Sequence, residues 1–190
     1  MRRKREILEK YSFLIELLIK FSNVFPKSLY LFILKRIRNH DNPISMLIRY
    51  ICLRNSCKSC GKNVAIFSNV YLFNIQNLEI GSNVSIHPMC YVDAKGGLVI
   101  GSDVSIAHST TIMTEEHIYS DLEMNIKDQG YELRHTLIEN NVWIGAGSRI
   151  LAGSKIGTGT IVASGAVVKN KIPSNTIVGG IPAKVIKERK

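Results

Sequence analysis

The feature that most limits how this chain can fold is a period of six. From Ile80 an aliphatic side chain returns at Ile86 and Val92. After a two-residue slip around Gly96-Gly97 it returns again at Ile100, Ile106 and Ile112. The register is lost between Met113 and Thr136, then runs unbroken through Ile138, Ile144, Ile150, Ile156, Val162 and Val168. A second rule accompanies the first. A small or β-branched residue stands four positions after the aliphatic, as at Val84, Cys90, Val104, Thr110, Val142, Ser148, Ser154, Thr160 and Ala166. Glycine often follows the aliphatic directly, at Gly81, Gly101, Gly145 and Gly157.

Six is neither the period of an α-helix nor that of an alternating strand. It fits short strands joined by tight corners into the flat faces of a triangular prism. The aliphatic points inward, the small residue sits near a corner, and glycine relieves the turn. Successive coils stack about 4.8 Å apart, and the stack supplies a core that no single coil can bury. The sequence therefore predicts a mainly β fold, a parallel β-helix over residues 63–190, with Cys90 as one of its small inward residues. Val64 and Val70, with Ser68 and Asn74 four later, mark irregular first coils over residues 63–79.

Residues 1–62 read differently. Ile7, Leu8, Leu14, Leu17, Leu18 and Phe21 recur at spacings of three and four, and Pro26 and Pro43 divide the region into helices near 5–22, 28–38 and 44–54. This head carries 14 Lys and Arg against 4 Asp and Glu, whereas residues 63–190 carry 11 of each sign. The net charge of +10 thus belongs to the head. A nucleic-acid groove would interleave basic and aromatic residues across the folded body, and no such stripe occurs, so nucleic acid is not expected as a partner. A basic amphipathic head suits an anionic membrane surface or an acidic partner; the plainer reading is a set of solvated helix faces.

No apolar run is long enough to span a membrane, and no apolar segment with a small-residue cleavage site follows the basic start. A cytoplasmic location follows, with room for peripheral contact with the inner face of the membrane. Cys57-x-x-Cys60 is a single pair without a second pair or a nearby histidine, so reduced structural thiols are expected and no metal.

Chemistry is expected where the repeat breaks. Residues 113–136 cannot fit within a coil and must protrude. They hold six Asp or Glu against two Lys or Arg, and one early histidine, His117. Rigid scaffolds commonly carry function on such loops.

The repeat, this loop, and the segments Asn141-Val-Trp-Ile-Gly-Ala-Gly147 and Ile177-Val-Gly-Gly-Ile-Pro-Ala-Lys-Val-Ile186 resemble the hexapeptide-repeat O-acetyltransferases. The likeness covers residues 63–187 and includes the maltose and galactoside acetyltransferases and, more closely, acetyltransferases of capsule and lipopolysaccharide assembly. It implies a left-handed β-helix, an exception to the usual right-handed crossover. It also implies a homotrimer with sites between neighbouring prisms, acetyl-CoA as donor and a carbohydrate hydroxyl as acceptor.

By position His117 matches the family's catalytic histidine, a general base for the attacking hydroxyl. Glu115, Glu116 or Asp121 would hold its other ring nitrogen. The acyl-CoA path implied by the resemblance runs past Trp143, Ala146, Gly147, Ser164 and Gly165, with a backbone N–H at Ala146 or Gly147 facing the oxyanion. Lys184 and Arg189 would meet the CoA phosphates. Asn83, Asp93 and His108 are candidates for sugar hydroxyls; His87 also points outward, and His40 and His135 read as structural or solvated. Two other readings remain at this point. One is a metal enzyme of the γ-carbonic anhydrase kind, for which the spacings of His87, His108 and His117 are a poor match. The other is a trimeric scaffold without catalysis.

Overall fold

A computed structural model describes residues 12–22 and 24–190. The repeat region is a three-sided parallel β-solenoid. Its first face stacks Ser59–Cys60, Leu78–Ile80, Leu98–Ile100, Thr136–Ile138, Lys155–Ile156 and Lys171–Ile172. The second face stacks Ala65–Ile66, Ser85–Ile86, Ser105–Ile106, Trp143–Ile144, Ile161–Val162 and Thr176–Gly179. The third stacks Tyr71–Phe73, Tyr91–Asp93, Thr111–Ile112, Arg149–Ile150 and Val167–Val168. We call the edge after each face its corner.

The aliphatics of the repeat are the core. Ile86, Ile106, Ile112, Ile138, Ile144, Ile150, Ile156, Val162 and Val168 are fully buried, and Cys90 joins them as a small inward residue. Coil length varies. Partners Ser59↔Glu79 and Glu79↔Val99 define 20-residue coils, Leu137↔Lys155 one of 18 and Lys155↔Lys171 one of 16. The extra residues of the early coils lie at the third corner, in the 3-10 turn Ile75–Asn77 and around Gly97. That is the physical form of the slip in the sequence.

Glycine's place in the repeat needs correction. The left-handed backbone positions at the first corner belong to Asn63, Asn83, Asp103 and Asn141, with φ between 55° and 60°, and in the last coils to Gly159 and Asn175, at 72° and 54°. Asparagine and aspartate tolerate this conformation because the short side chain bonds locally. Gly81 and Gly145 do not adopt it. A Cβ on Gly81 would lie 2.6 Å from the Ser102 nitrogen, and one on Gly145 2.5 Å from that of Ser164. These glycines let neighbouring coils approach; they do not relieve the turn.

Three helices cap the open end: α1 (Ser12–Ser22), α2 (Lys27–Ile37) and α3 (Pro43–Ser56). They match the helices read from the prolines; the first half of the segment 5–22 lies outside the described residues. Asn42 caps α3 by accepting the Ser45 N–H at 2.8 Å, with Pro43 in the first turn where its missing donor costs nothing. One hydrophobic cluster runs from Ile15, Ile19 and Leu53 through Val64 to Val178. The head and the prism therefore share a core, and the first solenoid strand, Ser59–Cys60, begins ahead of residue 63. At the other end Lys184–Glu188 folds back antiparallel on Thr176–Gly179.

Arg49 fastens head to prism. It is 2% exposed; its Nε donates to the Ile66 carbonyl at 2.8 Å and its Nη1 to those of Ile37 and His40 at 3.0 and 2.9 Å. One guanidinium thus ties the end of α2, the following turn and the first coil together. Arg49→Met keeps the apolar stem but strands three carbonyls. We expect it to lower stability by about 3 kcal/mol in urea unfolding at fixed protein concentration. A loss below about 1 kcal/mol would show that the clamp is dispensable.

Candidate active site

The interruption in the repeat is a β-hairpin at the third corner. Glu115–His117 pairs antiparallel with Tyr131–Leu133, with His117 opposite Tyr131. Two buried threonines, Thr114 and Thr136, form its base. The Thr114 hydroxyl donates to the Asp93 carbonyl at 3.0 Å and accepts the Gly96 N–H at 2.8 Å. The hairpin is therefore anchored to the coil below rather than hung from a free loop.

His117 is exposed, and its ring centroid lies 4.3 Å from that of Tyr131. Lys95 braces both strands: its Nζ is 2.6 Å from Glu115 and 4.7 Å from the centre of the Tyr131 ring. The bond to Glu115 raises the Lys95 pKa. The acidic residues read as partners of His117 are engaged elsewhere. Glu115 holds Lys95, Glu116 faces Arg134 at 3.4 Å, and Asp121 accepts the Glu123 N–H at 2.9 Å. Among the described residues, what meets the His117 ring is an aromatic side chain, not a carboxylate.

The second corner holds most of the other candidates. The Gly147 N–H donates to the His108 carbonyl at 3.0 Å and the Gly165 N–H to that of Ala146 at 2.8 Å, so His108, Ala146 and Ser164 stack in one column. A Cβ on Gly147 or Gly165 would meet nothing within 4 Å. The corner is thus a strip open at these glycines, with the Arg149 guanidinium beside them, its Nη1 donating to the Ser109 and Gly147 carbonyls at 2.9 Å each. Of the two oxyanion donors named from the sequence, Gly147 is committed to His108, whereas the Ala146 N–H has no hydrogen-bond partner among the described residues. Trp143 flanks this strip on the second face, 52% exposed. Lys184 pairs with Gly179 near its C-terminal end. His87 stacks on Phe67 with centroids 4.7 Å apart, and burial, then the charge of His108, pushes its pKa down.

Three candidates lie apart from the strip. Asn83 belongs to an amide ladder at the first corner, accepting from Asn63 at 2.9 Å and donating to Asp103 at 3.0 Å. Arg189 is at that same corner, its Nη1 donating to the Gly159 carbonyl at 2.9 Å. Asp93 is buried below the hairpin, where Oδ1 accepts the Asn74 amide at 2.7 Å and the Lys95 N–H at 3.0 Å. Asn83 and Asp93 thus have turn-closing work in their own chain.

Residues 135–170 match the family described as bacterial transferase hexapeptide (six repeats). Over these residues the chain carries the repeat of that family. A Staphylococcus haemolyticus protein named as an acetyltransferase is 44% identical over 67% of this chain and 65% of its own length. The galactoside O-acetyltransferase of Escherichia coli is 28% identical over 79% of this chain and 73% of its own. The chain spans between half and two-thirds of the Buchnera aphidicola serine acetyltransferase and Staphylococcus relatives that it matches. Among solved structures, a galactoside acetyltransferase in complex with coenzyme A superposes with a TM-score of 0.75 at 24% identity, over 86% of this chain and 80% of that one. A maltose O-acetyltransferase from Clostridium difficile gives 0.72 at 25%, over 88% of each. The fold is a left-handed parallel β-helix.

In this hexapeptide-repeat chain the sequence pattern missed the residues that surround His117. Tyr131 and Lys95 enter only through the hairpin register, and the stretch Glu115–His117 has no apolar alternation to announce a strand. The half-exposed rings of Tyr71, Phe73 and Tyr91 on the third face were missed as well; Phe73 and Tyr91 lie 4.9 Å apart. Burial, then Asp93 and Glu115, raises the Tyr91 pKa. Tyr91 lies opposite Thr111 on the strand that leads into the hairpin, which places the aromatic row beside the hairpin base. No group of three or more His, Cys, Asp or Glu side chains suited to a metal ion occurs among the described residues.

Proposed function

We propose that the chain is an acetyl-CoA-dependent O-acetyltransferase that acetylates a sugar hydroxyl in surface-polysaccharide assembly. The observation that carries this reading is the pairing of two features on one rigid prism. One is an exposed histidine on an anchored hairpin at the third corner. The other is an open strip with an unengaged Ala146 N–H at the second. They stand on different corners, so a single chain does not bring them together. A homotrimer does: the hairpin of one copy reaches the strip of the next, in a head-to-tail interface that closes after three.

The reaction balances with the residues present. His117 takes the proton of the acceptor hydroxyl as its oxygen attacks the thioester carbonyl. The tetrahedral oxyanion meets the Ala146 N–H. Collapse breaks the C–S bond, and the imidazolium returns its proton to the departing thiolate, giving the acetyl ester and free coenzyme A. Trp143, Gly147, Ser164 and Gly165 line the pantetheine path in this reading, and Lys184 meets the phosphates. Arg189 and Asn83, at the first corner, join a site only through a neighbouring copy. His108 and Asp93 lie on the acceptor side, where the rings of Tyr71, Phe73 and Tyr91 offer apolar faces to a sugar. The basic head is turned toward an anionic surface.

The test is transfer from acetyl-CoA to a panel of glycans, read as coenzyme A thiol release together with an ester that hydroxylamine removes. Release coupled one-to-one to ester formation is expected. Absence of transfer to any glycan, or activity that requires stoichiometric zinc held by His87, His108 and His117, would overturn the proposal.

A further inference from the structure

Helix α1 is apolar on both sides. Ile15 and Ile19 face the core, 8% and 6% exposed. The opposite side carries Phe13, Leu14, Leu17, Leu18 and Phe21 at helical spacing, and the turn beyond adds Val24 and Phe25, all of them solvent-exposed. Phe13 is 81% exposed and Phe21 70%. A soluble helix ordinarily opposes its buried stripe with polar residues, and an exposed apolar patch this continuous marks an interaction surface. Glu16, the acidic residue of this helix, is paired with Arg54 at 3.1 Å.

The surroundings say what covers it. Lys20, Lys27, Lys35 and Arg36 are exposed on α1 and α2, and the preceding eleven residues, outside the described structure, add five more basic residues to two acidic ones. A second copy would set one head of this charge against another. A folded acidic partner would need directional hydrogen bonds, and this stripe offers none. A lipid surface asks only for apolar side chains that enter the acyl boundary and cations that meet the headgroups, without any register. We infer that the apolar stripe of α1 and its turn insert into an anionic lipid surface, with the surrounding lysines and arginines on the headgroups. The inference narrows the partner of the basic head and stands independently of acetyl transfer.

The experiment is sedimentation of the full chain with vesicles of phosphatidylcholine alone or mixed with phosphatidylglycerol. Binding to the mixed vesicles should exceed that to the neutral ones by at least about tenfold and fall with salt. Phe13→Ser with Phe21→Ser should weaken it by about tenfold or more, with thermal melting and oligomeric state unchanged. Lys20→Glu with Lys35→Glu, which leaves every core residue in place, should do the same on mixed vesicles only. Equal binding to both vesicle types, or serine variants that bind like the parent, would overturn the inference. So would a change in self-association with lipid binding intact, which would make the stripe a contact between copies.

Discussion

His117→Ala is expected to reduce acetyl transfer by about 10²- to 10⁴-fold, the range that loss of a general base produces. The substitution should leave the fold alone. His117 is exposed, its strand is held by pairing with Tyr131–Leu133, and the hairpin base rests on Thr114 and Thr136, which do not touch the imidazole. Binding of acetyl-CoA should therefore persist, since the strip lies at the second corner and His117 on the hairpin at the third. The loss should appear in kcat with little change in KM for acetyl-CoA, because the removed group acts in the transition state. His117→Gln, which keeps the bulk and a hydrogen-bonding end but cannot take up a proton, should fail to restore the rate. Full activity in either variant would remove His117 from the chemistry.

Much of the fold could be read before any coordinates, because a period of six has one structural meaning. Each aliphatic from Ile86 to Val168 in the register is buried, and the break at 113–136 is the hairpin. The start of the solenoid was harder. Its first strand, Ser59–Cys60, presents no aliphatic, and the 20-residue early coils throw off a strict count of six. Glycine misled for a related reason. The glycines directly after the aliphatic, Gly81 and Gly145, stand where a neighbouring coil approaches closely, whereas the positive φ of the corners falls on Asn63, Asn83, Asp103 and Asn141 and, in the later coils, on Gly147, Gly153, Gly159 and Gly165.

The site was legible as a list and not as an arrangement. Ala146, Gly147, Ser164 and Gly165 follow the same face in consecutive coils, so the repeat brings them together without further information. Arg189 and Lys184 are five residues apart in sequence, yet the antiparallel return strand carries one to the first corner and the other to the second. The neighbours of His117 depend on a hairpin register that a mostly polar loop does not announce, which is why acidic residues rather than Tyr131 were expected beside it.

In the proposed trimer the site is shared: the base comes from one copy, and the thioester strip from the next. Ala146→Trp should block the strip, since the corner is open and an added indole projects over the pantetheine path without entering the core. Alone, it should be as inactive as His117→Ala. Co-expressed in equal amounts, the two variants assemble mixed trimers in which some sites combine an intact hairpin with an intact strip. In a ring of three, every trimer that contains both variants has one complete site, about a third of the total. Purification on two different tags, followed by the acetyl-transfer assay, reads this directly. Recovery to about a third of wild-type activity is expected in these doubly selected trimers. Activity no higher than that of either variant alone, in trimers shown to contain both chains, would contradict it.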